Sequence, residues 1–109
     1  MTADQILALA PDPASAKAGQ GLASPRKWVA SGTDGTLLWG ECQGSGSTPY
    51  QTRVELATIA FKCSCPSRKC PCKHVLGLML LQAGGGVASG DAPDWARMWF
   101  AERAAKAEK

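Results

Sequence analysis

The sequence predicts an α+β fold: a small antiparallel β-meander packed on a buried helix, with short helices before it and one helix after it. Three observations carry this expectation. Residues 50–56 (YQTRVEL) alternate, with Tyr50, Thr52, Val54 and Leu56 on one face and Gln51, Arg53 and Glu55 on the other, which is the period of a strand. Residues 75–82 (VLGLMLLQ) are apolar on nearly every side, which a helix tolerates only inside a core. Helix-start signals at Thr2 and Asp12 precede this region, and a third at Asp91 follows it.

In chain order, residues 1–27 form an N-terminal helical segment. Thr2-Ala-Asp-Gln5 matches a capping box and starts a short helix that Pro11 ends. Asp12-Pro13 sets a cap before an N1 proline and starts a second short helix, closed by Gly19 and Gly21. Ser24-Pro25-Arg26 is a connector. Residues 28–83 hold the sheet and the buried helix. The pattern turns to strands at Trp28, and residues 36–43 (TLLWGECQ) are the first well-defined strand. The breaker-rich stretch 44–49 (GSGSTP) joins it to the strand at 50–56 as an antiparallel hairpin. Beyond Leu56 the phase slips, because Ile59, Phe61, Cys63 and Cys65 share the opposite parity. A turn or bulge near Ala57 and Thr58 is therefore expected, then a short third strand at 59–64.

Pro71, near the start of the buried helix, sits where a missing amide proton costs nothing. Gly77 inside that helix costs about 1 kcal/mol relative to alanine, which points to a close backbone approach. Gly84-Gly85-Gly86 ends the helix and opens a Gly-rich linker over residues 84–90. Residues 91–109 form a last helix, on which Trp95 and Trp99, spaced i,i+4 with Met98 beside them, make a stripe that packs on the core. Trp28 and Trp39 belong to the core or rim of the sheet, and Cys42 reads as a core cysteine.

The 109 residues suit one domain, and the 45% hydrophobic, 19% charged composition is that of a globular chain. A formal charge of +3 permits nucleic-acid binding without arguing for it. The N-terminus lacks the basic region and apolar run of a signal peptide, and the longest apolar segment is far too short to span a membrane. A cytoplasmic protein is expected. In that compartment clustered cysteines read as metal ligands or redox thiols before disulfides, and five of them cannot pair completely within one chain.

The cluster is KCSCPSRKCPCKH, from Lys62 to His74. It holds Cys63, Cys65, Cys70, Cys72 and His74, one donor more than a tetrahedral zinc site takes. Cys63 and Cys65, at i and i+2 of a strand, share a face and can aim both sulfurs at one ion. Cys72 and His74 cannot do so within a regular helix, where i and i+2 lie about 200° apart. Cys72 therefore belongs in the turn before the buried helix and His74 on its opening turn. Cys70 stands to Cys72 as Cys72 stands to His74, so spacing alone leaves the fourth donor open. An ion held here staples the end of the β-layer to the start of the helix.

KCSCPSRKCPCKHVLGL resembles the SWIM-type zinc finger, a C-x-C pair, a variable gap and a C-x-H pair. LWGECQGSGSTPYQTRVEL is similar to the bacterial branch of that family, in which a Gly/Ser-rich loop and a tyrosine precede the finger. The resemblance covers roughly residues 28–82. It implies a Zn2+ ion held by Cys63, Cys65, Cys72 and His74, a strand–strand–helix core, a role in binding DNA or a protein, and no catalytic activity. Cys70 departs from the pattern, since bacterial relatives usually carry an apolar or aromatic residue there. It is read as a small hydrophobe, with a competing ligand or an oxidisable thiol as the alternative.

The expected function is thus a zinc-binding, non-catalytic interaction module for a protein or DNA partner, with no membrane and no small-molecule substrate. Four protein ligands leave a zinc ion no open position, and the chain has no P-loop and no second histidine. One alternative is a thiol redox or metal-sensing protein that uses Cys70 with Cys72 or Cys42. Another is a structural appendage that orients a neighbouring domain. Lys62, Arg68, Lys69 and Lys73 flank the ligands. They are read as offsetting the net negative charge of three thiolates on a divalent ion, with a phosphate-binding patch as the alternative.

Overall fold

The computed structural model describes residues 2–43, 48–65 and 71–107; Cys70, Arg68, Lys69 and most of the expected 44–49 loop lie outside the described residues. Two short helices, α1 (Ala3–Leu7) and α2 (Pro13–Gly21), and a single 3-10 turn lead into β1 (Trp28–Thr33). There follow β2 (Leu37–Cys42), β3 (Tyr50–Glu55), β4 (Ala60–Cys63), α3 (Lys73–Ala83) and α4 (Asp94–Ala107). The strands form one antiparallel sheet in the order β1-β2-β3-β4, so the α+β meander is what the chain adopts.

Local chemistry sets the helix starts. Thr2 and Gln5 close a reciprocal capping box on α1, with bonds of 3.2 and 2.9 Å. The Asp12 carboxylate accepts from the Ser15 amide at 2.7 Å, with Pro13 next to it at the first helical position. The β1–β2 connection is equally local. Asp34 accepts from the amides of Thr36 and Leu37 at 2.9 and 2.8 Å, which holds its carboxyl below the usual carboxylate range, and Gly35 takes φ 93°.

The turn between β3 and β4 differs from expectation in its end point. It occupies residues 56–59, and Ile59, expected within the strand, sits in the left-handed region at φ 54°. That conformation is costly for a β-branched residue. It reverses the chain and still delivers the Ile59 side chain to the core, which accounts for the change of phase after Leu56.

The sheet is covered on both faces. Leu38, Cys42 and Val54 face inward with α3, and α1 and α2 close the far side of that helix, so Val75, Leu76, Leu78, Met79 and Leu81 are all buried. On the outer face Leu37 and Trp39 pack with Ala92, Ala96 and Trp99 of the α4 region. The Trp95/Trp99 stripe therefore does pack on the sheet, while Met98 beside it is 63% exposed. Residues 88–90 of the Gly-rich stretch run along the end of β1, where the Thr33 amide donates to the Ala88 carbonyl and the Gly90 amide to the Thr33 carbonyl, both at 3.0 Å.

Gly77 marks the crossing of α3 with α2. A Cβ at Gly77 meets Leu22 Cβ at 2.6 Å and the Gly19 carbonyl at 3.2 Å, and a Cβ at Gly19 meets Leu76 Cβ at 2.7 Å. Gly19, expected to close α2, instead lies inside it as the other half of this contact. Gly77→Ala gains about 1 kcal/mol of helix propensity but overpacks a backbone contact by about 1–3 kcal/mol. Urea denaturation is expected to show it net destabilised, by up to about 2 kcal/mol. Gly21→Ala, where nothing lies within 4 Å of the added carbon, is expected to be neutral or slightly stabilising.

Candidate metal centre

The register of the β3–β4 hairpin brings the first pair of donors into place. Thr52 pairs with Cys63, and beyond the end of β4 the Ser64 amide and hydroxyl bond to the Gln51 backbone at 3.1 and 2.8 Å. This holds Cys63 and Cys65 against the inner core. The second pair comes from α3. Cys72 is its extended N-cap residue, at φ −78° and ψ 170°, and His74 lies in the first turn. An N-cap residue leaves the helical path, so its side chain and that of His74 are free of the 200° divergence that about 3.6 residues per turn would impose.

The four donor atoms of Cys63, Cys65, Cys72 and His74 all lie within 4.8 Å of one another. A tetrahedral zinc ion with bonds of about 2.3 Å to sulfur sets its sulfurs about 3.8 Å apart. Small side-chain rotations therefore close the group on an ion, and the 3.9 Å from Cys72 Sγ to His74 Nδ1 is already near that edge length. The arrangement is compatible with a bound metal ion. Cys72 and His74 are buried, and Cys63 and Cys65 are half-buried. Cys42 stands apart from the group. It is buried in the core, its thiol faces the Lys27 carbonyl at 3.4 Å, and burial pushes its pKa up.

Charge is unevenly spread over the sulfurs. Contact with Cys72 lowers the Cys63 thiol to about 3, helped by His74, the Thr52 hydroxyl at 3.3 Å and the Cys65 amide and opposed by burial. The same contact, with burial, pushes the Cys72 thiol up, against the Val75 amide in the first turn of α3. The two shifts describe one proton shared by two close sulfurs: the first leaves readily, the second only against a thiolate already present. A divalent cation reverses that repulsion.

Thr52 and Tyr50 are the supporting residues that sequence reasoning passed over. Thr52 is buried beside Cys63, and the Tyr50 ring lies 5.0 Å from the His74 ring at 52° and orients it. Both sit on the face of β3 that alternation sets opposite Gln51 and Arg53, and only the β3–β4 register shows that this face meets the donors. Of the flanking cations, Lys73 is exposed on the first turn of α3. Lys62 projects to the opposite face of the sheet from Cys63, as strand alternation requires, and pairs across the strands with Arg53. Comparison of the chain with family models, with curated proteins and with solved structures found no match.

Metal binding must displace the proton that the Cys63 and Cys72 sulfurs share. Affinity for Co2+ or Zn2+ is expected to fall as the pH is lowered from 8 to 6 (about two pH units), since protons compete for the thiolates. A dye-competition titration across that range checks this, with log affinity expected to rise as the pH rises.

Proposed function

We propose that the chain is a zinc-stabilised, non-catalytic interaction module of the SWIM type, in which Cys63, Cys65, Cys72 and His74 hold one Zn2+ ion. The observation that carries this reading is the convergence of three sulfurs and a ring nitrogen within 4.8 Å at the junction of a hairpin and a buried helix. The donor set is softer than magnesium or calcium accept, and three thiolates with one imidazole suit a closed structural zinc site. The ion binds the end of β4 to the start of α3 and fixes the sheet–helix angle around a modest core. With all four positions filled by protein, it has no place for a substrate or a reactive water.

The partner is a macromolecule, and a protein is favoured over DNA. The net charge of +3 is small, and of the described flanking cations Lys62 lies on the outer face of the sheet and Lys73 on the first turn of α3. Among the described residues no helix is long and apolar enough to cross a membrane.

The test begins with the purified chain. Native mass spectrometry is expected to find one zinc per chain, and Co2+ substitution to give the intense visible bands of a tetrahedral thiolate site. Removal by a strong chelator should lower the thermal midpoint by more than about 10 °C, because the binding energy of a structural zinc is folding energy. His74→Ala and Cys72→Ser should each reproduce the loss. A chain that is metal-free as purified and indifferent to chelator contradicts the reading.

A further inference from the structure

The outer face of the sheet carries a charged group with no local use. Arg53, in the middle of β3, is only 8% exposed, and burial lowers its pKa. Its Nε is sealed and has no hydrogen-bond partner among the described residues. One terminal nitrogen reaches the Gln51 carbonyl at a long 3.4 Å. The guanidinium lies over the Trp95 ring, 5.4 Å from its centroid. A cation–π contact of this kind offsets only part of what burying a guanidinium costs. An acceptor is missing.

Beside Arg53 lies a cleft of about 220 Å3 between the β3–β4 strands and α4, lined by Arg53, Lys62, Trp95, Met98, Trp99 and Glu102. It is smaller than the clefts of about 300–1,000 Å3 that hold cofactors and metabolites, and its size suits one anchoring side chain. Lys62 and the exposed Met98 stand at its mouth. Two cations, an apolar wall and a single acidic residue on the rim complement one carboxylate beside an aliphatic group. Glu102 makes the cleft a poor bed for a run of phosphates.

We infer that this cleft is a docking notch for a glutamate or aspartate side chain of an acidic, partly apolar segment of a partner protein. The carboxylate takes the guanidinium edge of Arg53 and is assisted by Lys62, and a neighbouring aliphatic side chain lies on Trp95 and Met98. Side-on pairing with Nε draws the half-buried Trp95 ring aside. The inference rests on the reading of the chain as a binding module, but its residues lie on the opposite face of the sheet from Cys63 and are separable from the ion.

The experiment uses the intact, zinc-loaded chain labelled with 15N, at low salt. The probes are a short amidated peptide of glutamate and leucine, its glutamine counterpart, and single-stranded oligothymidylate. The glutamate peptide is expected to shift the Arg53 Nε–H and Trp95 indole N–H resonances, and the glutamine peptide to leave them in place. Lys62→Gln should weaken binding about threefold and Glu102→Gln should tighten it about twofold, as for exposed charges. Arg53→Lys, which keeps the charge and loses the planar fork, should weaken it about tenfold or more. If that variant misfolds, the two rim variants decide. Equal shifts with both peptides, shifts with the oligonucleotide alone, or none at Arg53 and Trp95 would each overturn the inference. Retention of zinc in the same samples separates that failure from failure of the metal reading.

Discussion

The hairpin end and the helix start must arrive at one point with four donors facing inward, and the rest of the structure is arranged around that requirement. It is a demanding one because β-strand side chains alternate. A slip of one residue between β3 and β4 would send Cys63 to the outer face, where Lys62 now lies. Two features hold the register. Ile59 turns the chain in a left-handed conformation and keeps its side chain in the core, at a backbone cost of about 1–3 kcal/mol. Ser64 then ties both its amide and its hydroxyl to Gln51 immediately after Cys63. From the helix side, Cys72 can serve because it is the N-cap. There it is outside the helical path but fixed by the first turn, where the backbone dipole favours a thiolate.

The angle between sheet and α3 matters because α3 is buried on nearly every side. Its contact with α2 is so close that a Cβ at either Gly77 or Gly19 would meet the Cβ of a facing leucine. A helix held that tightly on one side transmits any tilt to the core on the other. A metal ion held at its first turn would therefore also fix α2 and, through the bond from the Trp28 indole N–H to the Leu22 carbonyl at 2.8 Å, the entry into β1. In a domain of this size such a local constraint carries weight that a larger core would share out.

Much of this was readable in the sequence where one residue type has one physical use. The caps at Thr2 and Asp12, the buried helix, the close approach at Gly77 and the placement of Cys72 before the helix followed from local chemistry. Other features were readable but passed over. Asp34-Gly35 is a hairpin signal that would have delimited β1, and the parity that set Cys63 inward also set Lys62 outward. What lay beyond local reading depends on pairing across the chain. The Thr52 hydroxyl beside Cys63 needs the β3–β4 register. The burial of Arg53 needs the return of α4 over a face that alternation marks as polar. The same sequence step, from one residue of β3 to the next, carries the support of Cys63 on one face and a buried guanidinium on the other.

That adjacency has an electrostatic consequence. The Cys63 thiolate favours the charged form of Arg53 through the sheet, against the burial that disfavours it. Coulombic attraction falls off slowly with distance and does not depend on orientation, so it helps keep the guanidinium ionised without satisfying any of its N–H groups. Hydrogen bonding is short and directional, and the Nε donor remains sealed and unpaired. With zinc bound, three thiolates and a divalent cation would still leave one net negative charge on the inner face. The charge balance of Arg53 is thus met partly from within the domain, while its Nε hydrogen bond is not. A neutral partner group could fill the cleft's volume, but only an anionic acceptor answers both the charge and the geometry.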